Sequence, residues 1–539
     1  MSMSKVWAVI GPPGTGKTTY VVKQVNRAVK AWCERTGYGP EHCTSILVST
    51  LTKGAVAELH GRDMVLPKRQ VSTLHSLALR AIGVPELCVD KHKQFAADHP
   101  NNREYWWSGE RGEPGDDGDT SNGDRLLQEY HRLRACMIER DYWEPGILQF
   151  AVIYEEWKQK HDWIDFSDVM HIAIARVPDA PGGARLLFID EAQDHDKTEL
   201  TLVRQWSRSC EQVVLIGDPD QCLYEFRGSQ PEGMLEGVPD EQIKVLAKSY
   251  RCPYSVQEYA GSIIYRVSTR RSFEWHGRDV AGDVSHSSYS LSSPRLACDV
   301  VQYAEMGTVM VLASCTYMLT PLAKALRLEG VPYWNPYSEK SKFRPLHPHK
   351  GRAITNRVLG FLRISPVAYG DEARLWTCAE LKNFTDMIGH GALKHGAKAA
   401  ITRLKDEGLV TLEQIREWFT EDAIEHLDRL DEDPNPVGWL VRYALKHKLD
   451  QLEYCRNICL RHGKDGLLDN PKVILSTIHG AKGTESDTVL VSPDISYRFA
   501  QQFDLDPDPL YRMFYVAATR AKERLVLLAS NPNSPRLEF

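Results

Sequence analysis

The sequence predicts an α/β fold with two doubly wound parallel sheets, each sheet carrying a mainly helical insertion. Short runs rich in Leu and β-branched residues recur along the chain, and most of them are followed by apolar residues at helical spacing. This alternation is typical of parallel strands that are buried between layers of helices. Two long stretches, residues 81–160 and 343–466, instead have helical spacing and contain no run of this kind.

The first run, Val6–Ile10, leads through a Gly- and Pro-rich turn into a predicted helix that starts at Lys17. The remaining predicted strands are 46–50, 185–190, 213–217, 309–313, 473–477, 488–491 and 524–528. Their order divides the chain into a first core, residues 1–80 and 161–250, with its insertion at 81–160. The second core covers residues 251–342 and 467–539, with its insertion at 343–466.

The composition limits how many domains, which binding partners and which cellular compartment are expected. The chain has 539 residues, of which 42% are hydrophobic, enough for several packed domains. Lys and Arg total 66 against 72 for Asp and Glu, so any nucleic-acid path must be a local groove. The twelve cysteines lack metal-type spacing, and neither a leader nor a membrane-length apolar run is present. We therefore expect a cytoplasmic protein, or one of the host cytoplasm if phage-encoded.

Residues 11–18 read GPPGTGKT between the first strand and the first helix, the context of a Walker A phosphate loop. Glycines let backbone N–H groups curve around phosphates, and the helix N-terminus adds positive potential. Lys17 is expected to contact the β and γ phosphates, and the Thr18 hydroxyl is expected to hold Mg²⁺. The loop residues predicted to bind nucleotide are Gly11, Pro12, Gly14, Thr15, Gly16, Lys17 and Thr18.

The run at 185–190 ends in two carboxylates, Asp190 and Glu191. An apolar strand that ends in this way has the form of a Walker B element. Asp190 is predicted to hold Mg²⁺, directly or through water, and Glu191 to polarise the attacking water. With the loop, these residues predict ATP and Mg²⁺ as cofactors.

At residues 190–194, DEAQD, the chain resembles the UvrD/PcrA/Rep helicases of superfamily 1, and further motifs follow in the order of that family. They are 49–58 STLTKGAVAE, 71–75 VSTLH, 216–228 IGDPDQCLYEFRG, 249–253 SYRCP, 476–485 STIHGAKGTE and 515–521 YVAATRA. The resemblance covers both cores but neither insertion. It implies that the cores are RecA-like.

The family also implies roles for single residues. Gln221 would sense the γ-phosphate, while Arg251 and Arg520, both in the predicted second core, would stabilise the charge that develops on it. Glu485 is similar to the family residue near the ribose. Six residues are implied to contact single-stranded DNA: Thr50, His75, Tyr224, Phe226, Thr477 and His479. Phe226 stands where relatives usually carry Trp, and its ring can stack on a base.

Recognition of the adenine base is expected to be weak. Relatives place a Gln upstream of the phosphate loop and an Arg directly after the loop threonine. None of the residues before Gly11 is Gln, and the position after Thr18 is Thr19. Thr19 and Tyr250 complete the predicted nucleotide-binding set, and Tyr250 can stack on a purine without distinguishing adenine from guanine.

The resemblance implies an ATP-dependent helicase that moves 3′ to 5′ on single-stranded DNA and acts at junctions with duplex, as a monomer and with an unidentified loading partner. One alternative is a RecD/Dda-like helicase of the opposite polarity, although residues 481–483, AKG, differ from the Ser-Gln-Gly usual in that branch. Another is a DNA-dependent ATPase that displaces bound proteins without processive unwinding. No membrane contact is expected.

Overall fold

The computed structural model describes residues 5–109, 121–334, 353–430, 435–468 and 470–538. These residues form two compact units. The first unit comprises Met1–Ser285, Ile495–Leu525 and Ser534–Phe539, and the second comprises His286–Asp494 and Val526–Asn533. The division into cores and insertions made from the sequence stays a prediction, and its boundary at 342 and 343 lies outside the described residues.

The first unit contains a six-stranded sheet in which each strand is parallel to its neighbours, in the order β3-β2-β4-β5-β1-β6. Its strands are β1 (Val6–Ile10), β2 (Ile46–Thr50), β3 (Val71–Thr73), β4 (Leu186–Ile189), β5 (Gln212–Gly217) and β6 (Ile243–Val245). Side chains alternate between its faces: Ala8 and Ile10 join one hydrophobic cluster and Val9 joins another. The sheet is therefore covered on both faces, as a doubly wound fold requires.

A short parallel pair follows this sheet along the chain, formed by β7 (Lys248–Pro253) and β8 (His276–Arg278). The second large sheet has the order β11-β12-β10-β13-β14-β9. Its strands are β9 (Asp283–His286), β10 (Val309–Ala313), β11 (Tyr333–Trp334), β12 (Val473–Thr477), β13 (Ser486–Val491) and β14 (Ala521–Leu527). The predicted fold class, α/β with two large parallel sheets and helical insertions, is confirmed.

The helices of the described residues, in chain order, are α1 (Lys17–Thr36), α2 (Lys53–His60), α3 (Leu74–Ala81), α4 (His92–Asp98), α5 (Asn122–Ala135), α6 (Pro145–Lys160), α7 (Phe166–Arg176), α8 (Lys197–Ser207), α9 (Tyr254–Ile264), α10 (Leu296–Met306), α11 (Thr320–Leu328), α12 (Ile354–Leu362), α13 (Pro366–Tyr369), α14 (Cys378–Thr385), α15 (Ala397–Arg403), α16 (Leu412–Trp418), α17 (Glu421–Asp428), α18 (Val437–Arg442), α19 (Leu449–His462), α20 (Tyr497–Leu505) and α21 (Asp508–Ala518). None of them is both long and apolar enough to cross a lipid bilayer.

The two helical stretches pack in different ways. Helices α4, α5 and α6 enclose a hydrophobic cluster of their own, rich in aromatic side chains such as Phe95, Tyr154 and Trp157. Helices of the stretch from residue 353 to 466 instead share one continuous cluster with the second sheet, in which Phe361 and Trp439 pack in the same core as Val311. The second stretch is therefore an extension of the second unit's core.

Candidate active site

The phosphate loop connects β1 to α1, and its glycines allow the backbone to curl. Gly14 and Gly16 have φ angles of 74° and 81°, in the left-handed region that favours glycine. The Lys17 ammonium group donates to the Gly11 carbonyl at 2.6 Å. A Cβ atom at Gly11 would lie 2.3 Å from the Cγ atom of Lys17, so the lysine can lie along the loop only because residue 11 is glycine.

Residues 249–251 of β7 lie against this loop. The Tyr250 N–H donates to the Gly14 carbonyl at 2.7 Å, and the Ser249 hydroxyl donates to the Pro13 carbonyl at 2.8 Å. A Cβ atom at Gly14 would lie 2.4 Å from that of Arg251. The sequence-predicted residues Tyr250 and Arg251 are thus held beside the loop by backbone contacts, and the Tyr250 side chain is exposed.

Asp190 and Glu191 follow the last residue of β4, next to the phosphate loop. Asp190 is buried, and burial together with the charge of Glu191 raises its pKa to about 7, although the charge of Lys17 opposes the shift. A divalent cation would compensate such a buried carboxylate, so Asp190 fits the predicted Mg²⁺ ligand. Glu191 has a φ angle of 53°, a conformation that costs a non-glycine residue about 1–3 kcal/mol and is common at active sites.

A series of buried and partly buried hydrogen bonds connects Glu191 to the arginine of the last motif. Gln193 donates to Glu191 Oε2 at 2.7 Å and accepts from the Asp218 N–H at 3.0 Å. The Asp218 carboxylate accepts from Gln221 Nε2 at 2.7 Å. Gln221 Oε1 in turn accepts from Arg520 Nη2 at 3.2 Å. The expected water-polarising carboxylate and the expected arginine finger therefore lie at the two ends of one connected network.

The side chain of Arg520 is fully buried at the end of α21. Its Nε donates to the Val516 carbonyl at 2.9 Å. Burial, and next the charge of Arg251, lower the pKa of Arg520 to about 9, so the guanidinium still carries its charge at neutral pH. The like charges of Arg251 and Arg520 repel each other. An anion such as a nucleotide phosphate would therefore be stabilised beside them.

The first unit thus contains the catalytic residues predicted from the sequence: Lys17, Thr18, Asp190, Glu191, Gln221, Arg251 and Arg520. The two arginines belong to the same compact unit as the phosphate loop. The reason is local: β7 is hydrogen-bonded to the loop, and α21 packs against α9 and residues 219–221. Glu485 lies in the second unit and is exposed.

The residues predicted to contact DNA have different surroundings. Tyr224 and Phe226 are partly exposed neighbours with ring centroids 6.1 Å apart, and the Arg227 guanidinium lies within 5.4 Å of both ring centroids. Thr50 is fully buried at the end of β2. In the second unit, the Thr477 hydroxyl accepts from the Gly480 N–H at 3.2 Å, and His479 lies within the same turn.

His75 forms a cluster that the sequence motifs did not indicate. Its Nδ1 lies 3.1 Å from Glu199 Oε1, while Nδ1 of the buried His195 lies 3.0 Å from Glu199 Oε2. The His75 ring also contacts the edge of Phe166 on α7. Burial alone would lower the pKa of His75, but the hydrogen bond and charge of Glu199 outweigh it and raise the pKa above its ordinary value.

Comparison with known proteins gives two family matches, an AAA domain at residues 1–227 and a UvrD-like helicase C-terminal domain at 408–531. The chain is 22% identical to the putative ATP-dependent DNA helicase YjcD of Bacillus subtilis, over 96% of this chain and 76% of that protein. It is 24% identical to the ATP-dependent DNA helicase PcrA of the same species, over 72% of this chain and 61% of PcrA. These matches support a UvrD/PcrA-like superfamily 1 helicase.

A third relative is the ATP-dependent DNA helicase srs2 of Schizosaccharomyces pombe, 22% identical over 70% of this chain. The chain spans only half the length of srs2. The family resemblance predicted from the sequence is therefore confirmed, and with it the expectation of two RecA-like cores.

Reasoning from the UvrD/PcrA-like motifs alone missed several residues that build the site. Gln193 and Asp218 lie inside recognised motifs, but their part in connecting Glu191 to Gln221 depends on side-chain geometry. Glu199 lies five residues after the DEAQD motif, outside the residues that the motifs single out. In the structure it forms a capping box with Asp196 at the start of α8, and the same carboxylate lies beside two histidines, His75 and His195.

Proposed function

We propose that this chain hydrolyses ATP and uses the free energy to move 3′ to 5′ along single-stranded DNA, separating duplex as it goes. The observation that carries the proposal is the network from Glu191 through Gln193, Asp218 and Gln221 to Arg520. The loop that contains Gln221 continues directly to Tyr224 and Phe226. One residue of the candidate phosphate site, Gln221, and the two candidate DNA-stacking residues therefore lie in one short segment.

Each residue has a role in the proposed reaction. Lys17 binds the β and γ phosphates, Thr18 and Asp190 would hold Mg²⁺, and this ion supplies charge neutralisation when bound. Glu191, held by Gln193, polarises the water that attacks the γ-phosphate. Arg251 and Arg520 stabilise the charge that develops on the transferred phosphoryl group. Tyr250 stacks on the base, and Glu485 binds near the ribose.

On the DNA side, Phe226 and Tyr224 offer rings for base stacking, which is tolerant of sequence because every base has a π face. His75, Thr50, Thr477 and His479 are the proposed contacts along the strand. The relatives' names, which describe ATP-dependent DNA helicases, support this assignment. The substrate is single-stranded DNA and its junction with duplex, and a loading partner is part of the proposal. The decisive experiment is ATP-dependent strand displacement on 3′-tailed, 5′-tailed and blunt duplexes.

The surroundings of His75 predict that binding to single-stranded DNA weakens as pH rises. The groups that face its ring are Glu199, Asp196 and His195, and the net effect raises its pKa. A raised pKa keeps the imidazolium charged above the ordinary midpoint of about 6.5, so its attraction for phosphate is present at low pH and lost as pH rises through the raised value. We expect the affinity for oligo-dT to fall between about pH 6 and pH 8.

The test is a titration of fluorescent oligo-dT across this pH range with the wild type, His75→Gln and a control, His42→Gln. His42 is an exposed histidine outside the motifs. The His75 variant should lose the pH dependence, and the His42 variant should keep it. An equal pH slope in the wild type and in His75→Gln would show that His75 does not contact the strand as a cation.

A further inference from the structure

Helix α21 and the residues directly after it make two side-chain contacts with the loop of residues 218–228. Arg520, two residues after the end of α21, donates to Gln221 at 3.2 Å. Arg512, within α21, donates from Nη1 to Glu225 Oε1 at 3.1 Å. Both contacts join residues nearly 300 positions apart in the chain, at 299 and 287 positions. The segment made of α21 and the two residues after it therefore contacts the loop at Gln221, the expected phosphate sensor, and again at Glu225, between the two aromatic residues.

The second contact is shielded from water. The Arg512 side chain is 2% exposed and that of Glu225 is 21% exposed. Four further carboxylates, those of Glu232, Glu236, Asp506 and Asp508, line the same cavity of about 470 Å³ as Glu225 and Arg512. Breaking a shielded ion pair by removing one partner leaves the other charge uncompensated, so α21 and Glu225 are expected to move together.

Glu225 lies between the two aromatic residues of the loop, Tyr224 and Phe226. Residues 225–227 form a single 3₁₀ turn, so a displacement of the Glu225 carboxylate is passed through a short, folded backbone to both rings. Energetic coupling between two sites needs a physical connection whose equilibrium is shifted by both sites. The loop has two such connections, one at Gln221 and one at Glu225.

We propose that the Glu225–Arg512 ion pair is a positioning contact that transmits movement of α21 to the Tyr224–Phe226 rings, so that each ATP turnover produces a step along DNA. This inference rests on the proposed function and adds to it the element through which the step is transmitted. Neither residue touches nucleotide in this proposal. Glu225 is a position that the sequence motifs left without a role.

The experiment measures nucleotides travelled per ATP at saturating single-stranded DNA, for the wild type, Glu225→Gln and the control Glu236→Gln. Glu236 lines the same cavity, but its side chain is 73% exposed. We expect Glu225→Gln to keep the DNA-independent ATPase within about twofold and to lower the travel per ATP by about threefold or more, within the range of measured couplings. Phe226→Ala should give a similar loss, whereas Glu236→Gln should give none.

A pH profile separates this role from simple stabilisation of the loop. Burial raises the pKa of Glu225 to about 7, although Arg512 opposes the shift, and Asp506 and Asp508 add to it. The charged form that pairs with Arg512 is therefore lost as pH falls through about 7. Travel per ATP in the wild type should fall by about half between pH 8 and pH 7, and in Glu225→Gln it should stay low and constant.

Normal travel per ATP in Glu225→Gln, or an equal loss in Glu236→Gln, would overturn this inference while leaving the proposed function intact. A fall in travel at low pH that is the same in the wild type and in Glu225→Gln would also overturn it. A wild-type protein that hydrolyses ATP on DNA without moving would overturn the proposed function, and this inference with it.

Discussion

Replacing Lys17 by alanine is expected to reduce DNA-stimulated ATP hydrolysis to less than about a tenth of the wild-type rate, because the ammonium group neutralises the phosphates during transfer. Binding of single-stranded DNA should stay within a few-fold of wild type, since Lys17 donates to the Gly11 carbonyl in the phosphate loop and is not among the residues proposed to contact DNA. The measurements are steady-state phosphate release and fluorescence anisotropy with labelled oligo-dT.

The control is Lys23→Ala, which removes an exposed lysine from the same helix, α1. This variant should hydrolyse ATP at the wild-type rate. If Lys17→Ala retained more than about a tenth of the activity, the phosphate loop would not have the role assigned to it. If it lost DNA binding to the same extent, the separation between the phosphate site and the DNA site would be wrong.

Replacing Arg520 by alanine is expected to lower kcat by about 10³-fold or more, the range observed for arginine fingers. Nucleotide affinity should fall far less, since the guanidinium acts mainly on charge that develops in the transition state. The measurements are kcat from phosphate release and Kd from titration with a fluorescent ATP analogue. Equal losses in rate and affinity would indicate a ground-state contact instead.

Because Arg520 is fully buried, its truncation leaves a cavity and removes the partner of Gln221. Arg520→Lys is therefore tested in parallel: it keeps a charge but loses the planar fork, and it should still lose most of the rate. Arg524→Ala serves as the matched control, since Arg524 is partly exposed and pairs with Asp283 at 3.0 Å. Circular dichroism and thermal unfolding show whether each variant is folded.

The central strands could be predicted from the sequence because most of their residues are buried. The bounds of Val6–Ile10, Ile46–Thr50, Val309–Ala313 and Val473–Thr477 agree with the prediction residue for residue. Each is a run of mostly apolar and β-branched side chains, which is typical of a strand covered on both faces. An amphipathic helix would instead mix apolar and polar residues at helical spacing, so these runs do not fit one.

Apart from the separate pair β7 and β8, the strands that the sequence pattern did not predict lie at the edges of the two large sheets. The short strands β3 and β6 are the two edges of the first sheet, and β11 and β9 are the edges of the second. An edge strand has one neighbour and is often partly exposed, so its composition carries little apolar pattern. In β6, for example, Lys244 is exposed between two half-buried residues. Pairing with a strand that is distant in sequence is what makes these segments strands.

The candidate site divides in a similar way. The phosphate loop and the DEAQD motif could be predicted because the chemistry fixes both residue type and local spacing. The connections between motifs could not, since they are side-chain contacts across hundreds of residues, as between Gln221 and Arg520. Glu199 is both a helix cap and the partner of His75 because α8 packs against the motif of residues 71–75. The local sequence pattern does not indicate this packing.

The measurement that tests the central claim most directly is ATP-dependent strand displacement on three duplexes that differ only in a single-stranded tail: 3′-tailed, 5′-tailed and blunt. We predict release of the strand from the 3′-tailed duplex, with little from the others and none with the Lys17→Ala variant. Release from the 5′-tailed duplex alone would contradict the proposed direction and favour a RecD/Dda-like movement. Strong DNA-stimulated ATP hydrolysis with no release from any duplex would contradict unwinding and favour an ATPase that displaces bound proteins.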